Sequence, residues 1–286
     1  MSHFVRTTLL LIIMSALVLL TGQVLGGRTG LTIALALSFI MNFGSYWYGD
    51  KIVLAMHRAV QLSPDQAPEI HSILDELAKR SGIQSPPKLY WIASATPNAF
   101  ATGRNPAHSA IVVTQGLVQM LNHEELKGVI GHEMGHILRR DTLTSTIVAT
   151  LAGVISYAAM TMRFSIMRGG SSGQARSREG VGNLVLWLVF AILMPIAAAM
   201  IQFAVSRTRE FAADDKGAEL SGNPLYLASA LQKISIAARK TPMLDAHPAA
   251  AHLFIINPLS GANFSALFST HPPVEKRIAR LEAMAR

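Results

Sequence analysis

Five consecutive residues, His132-Glu133-Met134-Gly135-His136, read H-E-x-x-H. On a helix, positions four apart share one face, so both imidazoles can reach a single metal ion. Zinc suits such nitrogen donors. Glu133, next to the first histidine, can take a proton from a zinc-bound water and pass it to the leaving amine of a cleaved peptide. A catalytic zinc takes three protein ligands and leaves a position open for water, so one ligand must lie elsewhere. The best candidate is Glu210, in Arg209-Glu210-Phe211-Ala212-Ala213-Asp214-Asp215. Asp214 falls one helical turn after it, on the same face. There its carboxylate can accept the outer N–H of a zinc-bound histidine and fix the tautomer. Asp215 reads as a surface acid. A structural zinc would ask for four protein ligands and no glutamate beside the first histidine, so the pattern favours a reaction over a scaffold.

These residues need elements to hold them. Asn122 with Glu125 three residues on forms a capping-box pattern, so the spacing predicts a helix opening at Asn122. Leu126, Val129, Ile130, Ile137 and Leu138 supply its apolar face, and nothing in the sequence stops it before an apolar block begins at Thr142. Residues 66–82 carry Ile70, Ile73, Leu74 and Leu77 at helical spacing. Residues 88–94, 99–102 and 109–114 read as extended segments separated by turns at 97–98 and 103–106, which predicts a small antiparallel sheet. Its segment Asn98, Ala99, Phe100, Ala101 is a candidate edge strand on which an extended substrate pairs by backbone hydrogen bonds. Residues 207–286 are mostly helical by pattern. Within them His271 precedes Pro272-Pro273 and is a candidate donor to a tetrahedral oxyanion, or else a residue packed ahead of a Pro-initiated helix. Arg277, about one and a half turns further on, is a lesser candidate for an electrostatic role.

The composition points to a membrane. Only 15% of the 286 residues are charged, against about a quarter in soluble domains. Charge is absent from residues 7–27, 29–49, 142–162 and 180–206, each at least as long as the roughly 20 residues of a spanning helix. Arg28 alone separates the first two, which read as a tight hairpin; a retained anchor fits better than a cleaved leader, since a second apolar block follows where a polar mature start would be. His136 precedes the third block by six residues and Glu210 follows the fourth by four. At 1.5 Å per residue both lie about 6–9 Å from the block ends, on the same side whether the blocks cross twice or not at all. The net charge of +8 fits arginine and lysine flanking apolar segments at anionic headgroups, and no compact basic motif calls for nucleic acid. The apolar blocks carry no buried charge and show no repeat, which counts against a transporter. Arginines fall on both flanks of the third and fourth blocks, so loop charge leaves orientation undecided. With no cysteine, disulfide and thiol chemistry are excluded.

The combination of an N-terminal hairpin, Asn98-Ala99-Phe100-Ala101-Thr102-Gly103, HEMGH, SRTREFAAD, and HLFIINPLSG before STHPP resembles the HtpX-type membrane zinc metalloproteases, gluzincins related to the type I CAAX prenyl proteases. The resemblance implies one Zn2+ per chain held by His132, His136 and Glu210, with Glu133 as general base. It implies a mainly α membrane protein of about four transmembrane helices, with a zincin-like α+β catalytic domain. It further implies a multi-pass protein of the bacterial inner membrane whose site faces the cytoplasm. Its partners would be the lipid bilayer, membrane-protein or unfolded polypeptide substrates, and other membrane quality-control proteases. The expected organisation is a transmembrane hairpin at 1–49 and a first catalytic part at 50–141. A second hairpin at 142–206, with a loop at 163–179, leads to a second catalytic part at 207–286.

Overall fold

The computed structural model describes residues 3–147, 207–240, 255 and 272–286. Most of the third charge-free block, the loop 163–179, the fourth block and His271 lie outside the described residues. Helix α1 (His3–Met56) is 54 residues long but not straight. Asn42 Nδ2 donates to Ser15 Oγ at 2.7 Å across 27 residues of chain, a separation of about 40 Å along a straight helix. The chain therefore folds back on itself. Gly27 sits at φ 55° in this bend, a left-handed conformation that glycine adopts without the steric cost of a Cβ. Among the described residues one helical stretch, Gly27–Met56, is long and apolar enough to cross a membrane, where the sequence suggested about four.

Beyond α1 come β1 (Val60–Gln61), α2 (Pro68–Ser81), β2 (Lys88–Ile92), β3 (Ala99–Asn105) and β4 (His108–Thr114). Helix α2 ends where Gly82 turns left-handed at φ 72°, and Ile70, Ile73, Leu74 and Leu77 form its buried stripe. The sheet order is β1-β2-β4-β3. The sheet is mixed, and the expectation of an antiparallel one is corrected: β4 runs antiparallel to β3 but parallel to β2. After β2 the chain crosses to the outer edge before returning, so β4 fills the slot between its two predecessors. The order of extended segments within a sheet leaves no mark on their composition. Both faces of the sheet are covered, and the strands alternate between them. Leu89, Ala99, Ala101, Ile111 and Val113 enter the main core with α2 and the helices that follow the sheet. Phe100 and Val112 pack the other way, against Val53 and Leu54 of α1.

Short helix α3 (Gln115–Met120), capped by Thr114, leads into α4 (His123–Leu138), which carries the H-E-x-x-H residues. The capping box forms as the sequence predicts: Asn122 Oδ1 accepts from Glu125 N–H, and Glu125 Oε2 accepts from Asn122 N–H. Glu125 is buried and also accepts from Ser229 Oγ and Lys233 Nζ, which ties the start of α4 to a later helix. The helix does not run on into the apolar block. It stops at Leu138, Arg140 turns to φ 57°, and residues 141–147 are helical again. This break brings Asp141 back beneath His136.

The remaining described helices are α5 (Arg207–Ser221), α6 (Pro224–Lys240) and α7 (Val274–Met284). Helices α4 and α5 touch almost backbone to backbone. A Cβ on Gly217 would lie 2.7 Å from His132 N, and one on Gly131 would lie 3.0 Å from Gly217 O. Only glycine on both helices allows this approach, and it sets Glu210 beside the two histidines.

Candidate metal centre

His132 and His136 stand on one face of α4, their rings 4.7 Å apart and perpendicular. Their Nε2 atoms are 3.2 Å apart. Glu210 Oε1 lies 3.5 Å from His136 Nε2, and Oε2 lies 3.9 Å from His132 Nε2. One ligand atom from each of the three lies within 4.8 Å of the others. Two nitrogens about 3.3 Å apart form one edge of a tetrahedron around an ion at about 2.0–2.1 Å, the Zn–N distance. Among the described residues this is the one cluster of its kind. Two imidazoles and a carboxylate, converging and nearly dry, are the donor set of a catalytic zinc site and match a single Zn2+.

Each histidine leans on its own carboxylate. His132 Nδ1 donates to Asp214 Oδ1 at 2.9 Å, and Asp214 is fully buried one turn after Glu210. His136 Nδ1 faces Asp141 Oδ2 at 3.3 Å. Both contacts hold the proton on Nδ1 and aim Nε2 at the metal position. The sequence points to Asp214, but Asp141 goes unread there. Its signal is faint: an acid five residues after His136, behind two arginines, useful only if the helix breaks between them. Asp141 also faces Arg209 Nη1 at 3.4 Å, which joins the helical stretch after the break to the start of α5.

Arg277, a lesser candidate from sequence, is the largest fully buried side chain among the described residues. Its Nε and Nη2 donate to both oxygens of Asp214, at 2.9 and 2.7 Å, and Nη1 donates to Ile255 O at 3.2 Å. This two-pronged grip fixes the carboxylate that fixes His132. The charges divide the pair of histidines. Burial, then the Arg277 charge, press His132 down to about 4. Burial also works against a charge on His136, but the Glu210 carboxylate, the Asp141 contact and Glu133 raise it to about 9 without a metal. Burial disfavours the Asp214 carboxylate, yet Arg277 and His132 hold it at about 2.

Glu133 is buried, 2% exposed, beside His132 on α4. His271 lies outside the described residues. Asn98 is fully buried and does not reach an open face: its Oδ1 accepts from Ala99 N–H, and its backbone bonds Thr114. Phe100 points away from the metal position, its ring 5.3 Å from that of His57. Ala99 and Ala101 face the α4 side of the sheet.

A model of peptidase family M48 matches residues 64–285. The chain belongs to peptidase family M48. Within it, this M48 peptidase is 48% identical to a protein named Protease HtpX homolog from Desulfatibacillum aliphaticivorans, over 98% of its own length and 89% of the relative's. It is 49% identical to the Syntrophobacter fumaroxidans protein of the same name, covering 98% of each. The Pyrococcus furiosus counterpart is 47% identical over 99% of this chain and 96% of its own. Among solved structures, a crystal structure of S. mikatae Ste24p superposes with a TM-score of 0.50 at 21% identity, over 88% of this chain and 58% of that one. That likeness concerns the fold. Family and ligand cluster together make the chain an HtpX-type zinc metallopeptidase.

Proposed function

We propose that this peptidase cleaves unfolded or damaged membrane proteins at the cytoplasmic face of a bacterial inner membrane. The observation that carries the reading is the convergence of His132, His136 and Glu210, with Glu133 buried beside them, in a domain joined to the apolar hairpin of α1. Zinc held by His132, His136 and Glu210 would acidify a bound water and polarise a carbonyl. Glu133 accepts the proton of the attacking water and returns it to the leaving amine. His271 donates to the oxyanion. Asp214 and Asp141 keep the ligand histidines in one tautomer, and Arg277 keeps Asp214 ionised.

The substrate strand pairs with β3. Asn98 O accepts from Thr114 N–H, so residues 98, 100 and 102 bond β4, and the backbone groups of 99, 101 and 103 face away from β4, along the edge of the sheet. Ala99 O is taken by Ile255 N–H, and Gly103 N–H donates to Thr146 Oγ1. Ala101 is the rung between them without a backbone partner among the described residues, so substrate pairing centres on Ala101 rather than on Asn98.

In this reading the arms of α1 and the blocks at 142–162 and 180–206 make four spans. The catalytic domain is assembled from residues 50–141 and 207–286, and activity is shared with other membrane quality-control proteases. The test is Glu133→Gln: zinc stays at one per chain while casein cleavage falls by several orders of magnitude. Wild-type cleavage by the zinc-loaded variant would sink the mechanism. Labelling of Ser172→Cys from the cytoplasmic side alone would sink the four-span topology.

A further inference from the structure

Helix α1 does not end in a plain charge boundary. Its apolar face, with Ile33, Leu35, Phe39, Ile40 and Phe43 exposed, runs into Tyr46, Trp47 and Tyr48 before Asp50 and Lys51. Phe39, Phe43 and Trp47 form a row of rings about 6 Å apart. Aromatic collars of this kind settle at the headgroup level of a bilayer. Two cations sit on them: the Arg104 guanidinium lies 4.8 Å from the Trp47 ring, and Lys51 Nζ lies 5.4 Å from Tyr48.

Arg104 belongs to the catalytic domain, near the β3–β4 turn. Between His57, just past the end of α1, at Phe100 and Trp47 at Arg104, the chain runs back ten residues, about 15 Å, while β3 runs forward four, about 13 Å. Strand and helix therefore lie antiparallel, side by side, and the turn at residues 106–107 points toward the apolar part of α1. That turn is preformed: Asn105 Oδ1 accepts from His108 N–H at 2.9 Å, and Pro106 O accepts from Ser109 Oγ at 2.8 Å.

We propose that the tip of the β3–β4 hairpin rests in the headgroup layer of an anionic bilayer. Arg104 stacks one face on Trp47 and turns its N–H edge to a lipid phosphate. The occupant follows from charge: Arg104 and Lys51 flank the collar, and Asp50 is the only acid in α1. The consequence is orientation. Strand β3 stands along the bilayer normal, with Ala101 about 10 Å above Arg104, so a chain drawn out of the membrane meets the docking rung end-on. The inference rests on the membrane reading of α1 given above.

The chain has no cysteine, so single thiols report without background. The full zinc-loaded chain carries an environment-sensitive fluorophore at Ala107→Cys on the turn, at Ile40→Cys on the apolar face, or at Lys79→Cys on exposed α2. It is placed in vesicles of phosphatidylcholine, alone or mixed equally with phosphatidylglycerol. Headgroup-spin-labelled lipid is expected to quench the Ala107 label and spare the Lys79 label, while lipid spin-labelled deep in its chains quenches the Ile40 label. Adding Arg104→Gln lowers the Ala107 preference for anionic vesicles on the order of fivefold, the equivalent of one basic residue at the surface, and Arg104→Lys retains most of it. Zinc at one per chain certifies each variant as folded. An Ala107 label as unquenched as Lys79, with Ile40 quenched, overturns the seat alone. Equal Ala107 quenching in both vesicle types overturns headgroup binding by Arg104. An unquenched Ile40 label overturns the membrane reading and the seat with it.

Discussion

At the scale of residues, the two ligand imidazoles sit in opposite electrostatic surroundings. His132 is neutral above about 4, whereas His136 keeps its proton up to about 9 under the pull of Glu210, Asp141 and Glu133, which overcomes its burial. Zinc needs the neutral ring, so binding displaces one proton from His136. Apparent zinc affinity is therefore expected to rise about tenfold per pH unit between those two values, as measured by competition with a chelator of known pH dependence. The metal-free protein follows the opposite sign. A raised folded-state value stabilises most below the ordinary histidine value and loses that contribution as pH climbs through about 9. Thermal melts of the zinc-free chain should thus fall in Tm between the ordinary histidine value of about 6.5 and about 9, the upper part of the range in which zinc binding strengthens. The outer carboxylates give a separate prediction: Asp214→Asn and Asp141→Asn each weaken zinc about 10- to 100-fold. Unchanged affinity for Asp141→Asn would remove it from the site.

At the scale of elements, the site is a contact between α4 and α5, and glycine sets its spacing. The Cβ of Gly217→Ala would fall 2.7 Å from His132 N and 2.9 Å from His132 Cα, both backbone atoms that cannot swing aside. Helix α5 must then move off α4 and carry Glu210 with it. The expected outcome is a loss of about 1–3 kcal/mol in stability and zinc well below one per chain by atomic absorption. Gly44→Ala on α1, where a Cβ meets nothing within 4 Å, should leave both unchanged. The break at Arg140 belongs to the same scale, because a helix continued through it would carry Asp141 away from His136.

At the scale of the molecule, a small apolar joint connects the membrane arm to the catalytic domain. Val53 and Leu54 of α1 cover Phe100 and Val112 on the face of the sheet turned away from the metal. Strand β3 thus has the membrane arm on one face and the metal-binding helix on the other. Phe100→Ala empties a site with no exposed surface and should cost about 3–5 kcal/mol, read as a lowered Tm in detergent. Zinc content should remain at one per chain in the cold, since the ring points away from the ligands. Loss of zinc without loss of Tm would contradict this division of the two faces.

The sequence by itself determined the metal-binding chemistry. H-E-x-x-H at helical spacing, a carboxylate pair one turn apart in Glu210 and Asp214, and the Asn122–Glu125 cap are local patterns set by the 3.6-residue period and helix-end hydrogen bonding, and these remain legible in one dimension. Long charge-free runs marked where lipid can be met, because the cost of burying charge leaves a gap in composition. Tertiary structure decided what depends on contacts between distant segments. It ordered the strands, put β4 parallel to β2, and broke α4 at Arg140 so that Asp141 could serve His136. It also buried Arg277 against Asp214 and brought two glycine-bearing helices into backbone contact. A lone acid or arginine in a sequence looks like a solvated one until the fold removes its water, and only packing shows which charges have been forced to find each other.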